Sequence, residues 1–355
     1  MASIILDCDL MRFPHSGLYH YCLNIGLAVN KQLEAAGKEP MKMYVPPAEK
    51  DAFGRGSHTI VEKKWHKIWK PFLHGCKVWH APFQSGRIIP DRRKHPDTKV
   101  VLTIHDLNPL HEGKSPEEQR RSIAHTQSLI DRSDAIVCIS EFTKGDVLKN
   151  CKVGNKPVYV IHNGTHRVAS DTIPFQQPLV SRPFLFGMGY VNTKKNYHSL
   201  LPLLHHNPEL ELVVAGRLDE PDYITKMQQL ASDMGVSDRL RLTGPVSEAD
   251  KAWYLRNCLA FVHPSLAEGF GAPVVEAMIF GKPLFLSNRT SLPEIGGDVA
   301  FYFSSFDGEH MQQVFASGMQ RYQSTDLSAA LIKRALQFDW DKNAAQYIQV
   351  YQSLL

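Results

Sequence analysis

The sequence predicts an α/β protein built as two successive doubly wound, Rossmann-like domains. Three observations point there. Short apolar runs alternate with helix-spaced stretches along most of the 355 residues. The chain opens with a strand, a glycine-containing loop and a helix, which is how a doubly wound sheet begins. The alternation then lapses between Thr165 and Arg182, where Pro174 and Pro178 stand among polar residues, and restarts at Pro183. The expected division is a first domain over residues 1–165, a linker over 166–182, a second domain over 183–339 and a terminal helix over 340–355.

Taken in order, Ser3–Leu6 is a strand, and the loop MRFPHSGLYHY carries Gly17 into a helix over about 18–35. Val78–Pro82 and Val100–Ile104 read as strands, the second running out into His105-Asp106-Leu107. A helix over about 117–132, the strand AIVCIS, a further helix and the strand VYVIHNG, which contains Asn163, complete the first domain. The second begins with PFLFGMG and repeats the pattern: LVVAG running into Arg217, a helix over 224–234, RLRLTG, a helix over 248–257 and the strand Leu259–Val262. Ala345, Ile348, Tyr351 and Leu354 give the terminal helix its spacing.

Composition excludes several classes. No apolar run approaches the length of a membrane-spanning helix, and the amino terminus enters a strand without a basic region or cleavage site, so a cytoplasmic protein is expected. Six scattered cysteines without paired spacing read as reduced thiols, in the core or at the surface. A net charge of +4 and the lack of a recognised motif argue against nucleic acid. Asp7-Cys8-Asp9 has the form of a metal triplet, but acidic pairs at strand ends are commonly structural, and no metal ligand is assigned.

Residues 63–94 turn basic and aromatic: Lys63, Lys64, Lys67, Lys70 and Lys77 interleave with Trp65, Trp69, Phe72 and Trp79, and Arg87, Arg92, Arg93 and Lys94 follow. Two readings stand side by side. One is a solvated helix with its tryptophans in the core; the other is an interfacial surface for an anionic membrane or a lipid diphosphate.

The chemistry concentrates in residues 263–297, HPSLAEGFGAPVVEAMIFGKPLFLSNRTSLPEIGG. Pro264 ends a strand, since proline cannot donate to a ladder. Gly269 and Gly271 flank Phe270, opening backbone conformations that let a ligand approach the main chain. Pro273 and Gly281 bracket a short helix over 272–280, whose amino terminus suits a phosphate. Glu268 and Glu276 lie on either side of that turn and can each accept hydrogen bonds from vicinal hydroxyls. A phosphate between two polyols is the outline of a nucleotide sugar.

The string SLAEGFGAPVVEAM, with SLPEIGG after it, resembles the donor-binding signature of retaining glycosyltransferases of family four, whose fold is called GT-B, and bacterial mannosyltransferases among them. The resemblance implies two Rossmann-like domains facing across a cleft, with the terminal helix crossing back to the first. It gives Glu268 the hydroxyls of the donor sugar, Glu276 the ribose, and Gly269, Phe270, Gly271 and Ala272 the leaving diphosphate. Lys195, in YVNTKKN, matches the family lysine that neutralises the diphosphate. Many relatives also carry an arginine where this chain has Tyr190, which leaves Lys194 and Arg217 as substitutes. LTIHDLNPLH resembles the acceptor-side segment and makes His105 a contact of the transferring sugar or acceptor; Gly17 and Asn163 complete the substrate-binding set on that side. GPVSEADK looks like the base-reading loop of guanine-nucleotide mannosyltransferases, with Val246, Glu248 and Lys251 at the base.

The implied activity is metal-independent, retaining transfer of a hexose, with GDP-mannose the preferred donor, to a glycan or lipid-linked glycan acceptor, at the inner face of the cytoplasmic membrane or in the cytoplasm. Catalysis would rest on Glu268, Lys195 and His105. Alternatives are a UDP-sugar donor on the same fold, hydrolysis or epimerisation of a nucleotide sugar, and binding without catalysis. A nicotinamide dehydrogenase lacks its G-x-G-x-x-G after the first strand.

Overall fold

A computed structural model describes residues 3–14, 16–54, 58–85, 88–165 and 180–355. The chain divides into two units, Met1–Gly164 with Asp339–Leu355, and Thr165–Phe338. Most of the expected linker, and Arg87, lie outside the described residues.

The first unit is a parallel sheet in the order β3-β2-β1-β4-β5-β6-β7. Its strands are Ser3–Asp7 (β1), Lys42–Val45 (β2), Thr59–Val61 (β3), Cys76–Ala81 (β4), Lys99–Ile104 (β5), Ala135–Cys138 (β6) and Val158–Val160 (β7). Three longer helices accompany them: Gly17–Ala35 (α1), Pro116–Asp131 (α2) and Glu141–Asn150 (α3). Helices on both faces bury the central strands completely, which is why VVLTI and AIVC read as continuous apolar runs. Ser16, Ser115 and Ser140 cap the three helices by accepting amide hydrogens from Tyr19, Glu118 and Thr143.

The last helix, Trp340–Ser353, packs against α1 in this unit. It buries Trp340, Asn343, Ala344, Tyr347, Val350 and Tyr351. Ala345, Ile348 and Leu354, whose spacing marked the helix, sit at the margin of that face. Tyrosines set the rotation, because their hydroxyls find partners inside. Tyr347 meets Tyr21 at 2.6 Å and Thr103 at 3.3 Å, while His80 is held between Tyr351 and Thr103 at 2.8 Å each.

The second unit is a parallel sheet in the order β10-β9-β8-β11-β12-β13. The strands are Phe184–Met188 (β8), Glu211–Ala215 (β9), Leu240–Gly244 (β10), Ala260–His263 (β11), Leu284–Ser287 (β12) and Phe301–Phe303 (β13). Its helices are Leu201–His206 (α4), Pro221–Asp233 (α5), Glu248–Asn257 (α6), Ala272–Ile279 (α7), Leu292–Gly296 (α8), Gly308–Ser324 (α9) and Leu327–Ala335 (α10). In both units the strand order reverses beside the first strand, between β1 and β4 and between β8 and β11. Ligands of open parallel sheets gather at the carboxyl ends of strands at such reversals.

Two expectations change. All six cysteines are free and buried, so none is a surface thiol. The basic aromatic segment is not a single helix: it forms two short 3-10 turns, Lys64–Lys67 and Pro71–Leu73, joined to β4. Trp79 is fully buried on β4, whereas Trp65 and Trp69 are exposed.

Candidate functional site

The reversal between β8 and β11 gathers the predicted residues of the second unit. After β8 the chain makes a 3-10 turn, Thr193–Lys195, capped by Asn192, whose side chain accepts from the Lys195 amide at 3.2 Å. Asn196 then takes a left-handed conformation, φ 58°, and donates to the Pro264 carbonyl at 3.2 Å. The Lys194 carbonyl accepts from the Leu266 amide at 2.8 Å and the Ser265 hydroxyl at 3.3 Å. The loops after the two strands are thereby stapled together. Gly189 and Gly216 close the corner: a Cβ on Gly216 would run into the Gly189 carbonyl, and one on Gly189 would lie 3.1 Å from the Lys195 side chain. Small residues are required for that approach.

Glu268 is the centre of the corner. Its Oε1 takes the Lys195 ammonium at 2.5 Å and the His263 ring, through Nε2, at 2.9 Å. Among the described residues Oε2 has no hydrogen-bond partner. The backbone is fixed as well: the Glu268 amide donates to Thr290 Oγ1 at 2.9 Å, and the Ser291 hydroxyl donates to the Glu268 carbonyl at 2.9 Å. Burial alone would raise the Glu268 pKa, but Lys195 and His263 outweigh it and hold the carboxyl well below the usual range. Burial lowers the pKa of His263. The site therefore presents an ionised carboxylate against a lysine and a neutral histidine.

His263, Thr290 and Ser291 had no role assigned from the sequence. Thr290 carries a signal only the structure reveals: φ of 51°, rare for a β-branched residue.

The turn after Glu268 enters α7 through Gly271, which takes φ 93° as its amino-terminal cap. A Cβ there would stand 2.9 Å from Leu292, so glycine is needed on two counts. The Phe270 side chain is buried against the Phe338 ring, centroids 5.5 Å apart, and anchors the turn. At the start of α7 Pro273 has no N–H and the Val274 amide donates to the Gly271 carbonyl at 2.9 Å, which leaves the Ala272 amide at the positive end of the helix.

Glu276, in the body of α7, meets the Lys251 ammonium of α6 at 3.3 Å, and Lys251 also pairs with Glu248 at 2.7 Å. Burial raises the Glu276 pKa, with Lys251 partly offsetting it. The predicted base and ribose contacts are thus one chain of charges in which Lys251 is half-buried and Glu248 exposed. Val246 is half-buried in the loop leading to α6.

Lys194 is half-buried in the stapled turn. Arg217, just beyond β9, stacks over the Tyr190 ring at 4.5 Å and pairs with Asp219. The chain thus carries a cation over the position where an arginine was expected.

Gly17, His105 and Asn163 belong to the first unit. His105 follows β5, is buried, and donates from Nε2 to the Pro82 carbonyl at 2.8 Å, so that its neutral ring keeps the lone pair on Nδ1. Burial pushes its pKa down to about 4. Its amide donates to Gln84 at 3.0 Å and its ring stands edge-on to Tyr21. Gly17 is exposed at the start of α1, with open space beside it. Asn163 Oδ1 is buried without a hydrogen-bond partner.

Two family profiles match the chain: Glycosyl transferases group 1 over residues 170–312, and Glycosyltransferase Family 4 over residues 63–167. The chain belongs to these glycosyltransferases. It is an enzyme of the GT-B fold. Among relatives of this glycosyltransferase, the O-antigen chain mannosyltransferase B of Escherichia coli is 26% identical over 99% of this chain and 100% of its own. The lipopolysaccharide core biosynthesis mannosyltransferase LpcC of Rhizobium leguminosarum is 27% identical over 81% of this chain and 83% of its own. Among solved structures, Anabaena HepE in complex with UDP and glucose superposes with a TM-score of 0.78 at 17% identity, covering 99% of this chain and 100% of that one. Sucrose-phosphate synthase of Thermosynechococcus elongatus superposes with a TM-score of 0.74 at 18% identity, covering 100% of this chain and 99% of that one. Among the described residues, no helix is long and apolar enough to cross a membrane.

Proposed function

We propose that this glycosyltransferase moves mannose from GDP-mannose, with retention at the anomeric carbon, onto a glycan or lipid-linked glycan of a bacterial surface polysaccharide. The observation that carries the reading is the corner where Lys195, Glu268 and His263 meet beside the amino end of α7. The mannosyltransferase activities of the two relatives named above favour mannose. A lipid-linked acceptor would bring the enzyme to the inner face of the cytoplasmic membrane.

In this mechanism the leaving diphosphate takes the Lys195 ammonium and the Ala272 amide at the amino end of α7, which stabilise the negative charge that grows as the glycosidic bond breaks. Glu268 Oε2 accepts from hydroxyls of the donor sugar, and Glu276 from the ribose. Because Lys251 bridges Glu248 and Glu276, base and ribose are read by one connected group of charges. The acceptor hydroxyl attacks on the face the diphosphate leaves, and a phosphate oxygen receives its proton. Lys195 and the helix supply the positive charge, so a chelator is expected to leave the rate unchanged.

The reading is tested with donor panels and two variants. GDP-mannose should raise the melting temperature more than UDP-, dTDP- or ADP-sugars, because a ligand of the native state stabilises by mass action. Lys195→Met should lower kcat by about 10²–10³, the range for losing one preorganised donor to developing charge. A thermal response confined to UDP-sugars would overturn the GDP assignment. Transfer undiminished in Lys195→Met and Glu268→Ala would overturn the site. Release of free sugar at a rate indifferent to acceptor would make the enzyme a hydrolase.

A further inference from the structure

The segment after β3 is folded so that some of its large side chains point in and others out. His66 is buried; its Nδ1 accepts from the Lys63 amide and stands opposite the Tyr44 hydroxyl, both at 3.2 Å. The Phe72 ring packs beside Tyr44 and Trp79, at 5.0 and 6.0 Å between centroids. These residues anchor two short turns to the core of the first unit. Between the anchors, Trp65, Ile68 and Trp69 are 42%, 89% and 65% exposed. The two indole rings lie 5.4 Å apart, so the exposed groups form one cluster.

An isoleucine almost wholly in water beside two open tryptophans is unfavourable for a free surface. Burying such groups is favourable, and clustering marks a contact site rather than scattered surface apolarity. The charge around them selects the contact. Lys63 lies 5.7 Å over the Trp65 ring, and Lys64 and Lys70 flank the cluster. None of the three has a carboxylate partner among the described residues. The adjacent carboxylate, Glu62, is engaged by Arg12 at 2.8 Å.

We propose that Trp65, Ile68 and Trp69, with Lys63, Lys64 and Lys70, form a docking surface for an anionic phospholipid bilayer. Indole rings suit the headgroup boundary, where one edge is wet and the other apolar. Isoleucine reaches past them into the acyl region. The lysines meet the surface potential of acidic lipids. The surface is compact, covering 63–70 rather than the whole stretch to residue 94: Trp79 is in the core and Arg92 is paired with Asp134. The proposal is independent of which donor and acceptor are used, since binding is read without either.

The test is co-sedimentation of the full chain with vesicles of phosphatidylcholine alone and of phosphatidylcholine with phosphatidylglycerol. The protein should pellet with the mixed vesicles, bind neutral ones more weakly, and lose affinity as salt rises. Trp65→Ser with Ile68→Ser and Trp69→Ser should weaken binding at least about tenfold, as should Lys63→Glu with Lys64→Glu and Lys70→Glu. Both variants should keep the wild-type melting temperature and donor turnover, which separates lost docking from misfolding. No pelleting with mixed vesicles, or equal pelleting of the variants, would overturn the proposal. So would a wild-type dimer by light scattering that the serine variant dissociates while vesicle binding persists, since the cluster would then bind a second copy.

Discussion

A single carboxylate oxygen organises the donor corner, and His263 determines where that oxygen sits. With its hydrogen on Nε2 and given to Glu268, the ring keeps its lone pair on Nδ1, which is buried without a partner. Such an orphan acceptor costs about 1–3 kcal/mol. The fold tolerates it because a turned ring would leave Oε1 to Lys195 alone. His263→Phe removes both the orphan and the restraint. We expect an unchanged or higher melting temperature together with a kcat lowered about 10²-fold, the effect of misplacing a group by about 1 Å. A variant that melts several degrees lower, or that transfers at the wild-type rate, would return His263 to a packing role. Glu268 and Lys195 were legible in the sequence because glycines and a proline bracket the turn and a lysine follows a strand. His263 was not, since nothing in a five-residue separation says that the ring folds back toward the glutamate. Gly271 was legible for the same reason as Glu268, and its φ of 93° gives the expectation a geometry.

Among the elements, the terminal helix illustrates what periodicity captures and what it misses. Its existence follows from the spacing of apolar residues, but its rotation follows from hydroxyl groups. Tyr347 and Tyr351 turn inward because Tyr21, Thr103 and His80 are there to meet them. A pattern that counts only apolar side chains places the face about one position away. Tyr347→Phe keeps the ring and deletes the partner of the Tyr21 hydroxyl, which lies 2.6 Å away. The expected loss is about 1–3 kcal/mol, the penalty for leaving a buried donor unpaired. It should be read as a lower urea midpoint with an unchanged slope. An unaltered midpoint would mean that a water or another side chain satisfies Tyr21. The short strands β2 and β3 escaped sequence reading because KMYV and TIV are too brief to display a period. The segment 63–70 escaped for a different reason. Its inward and outward residues obey no period at all, so the exposed Ile68 could not be told from a core residue.

Across the whole molecule, two sheets share the order of their first six strands, and in the second the ends of β8 and β11, where that order reverses, bring Lys195 and Glu268 together. Alternating strand and helix patterns were enough to predict that plan; which buried polar groups the plan must carry was not. Burial lowers the pKa of five histidines: His80, down to about 3, His105, down to about 4, and His66, His198 and His263. Each has a folded pKa below the unfolded value of about 6.5. Between those values the unfolded chain binds more protons than the folded one, so stability rises with pH. The contribution is complete above about pH 6.5 and is lost as pH falls toward the folded pKa. His80 and His105 together can remove up to about 2.8 kcal/mol per pH unit, twice the 1.4 of a single titrating group. Glu268, held low, acts in a separate and more acid window, since its contribution is lost only as pH falls below the ordinary carboxylate range. The melting temperature, followed by circular dichroism, should therefore fall steadily from pH 7 to pH 5, above the range in which ordinary carboxylates titrate; Glu276, raised by burial, acts with the opposite sign. His80→Gln retains a side chain able to bond Tyr351 and Thr103 but takes up no proton, and should flatten that slope by the share of one imidazole, up to about 1.4 kcal/mol per pH unit. A wild-type melting temperature constant across the interval, or an identical slope in His80→Gln, would show that these imidazoles do not govern the acid limit of the fold.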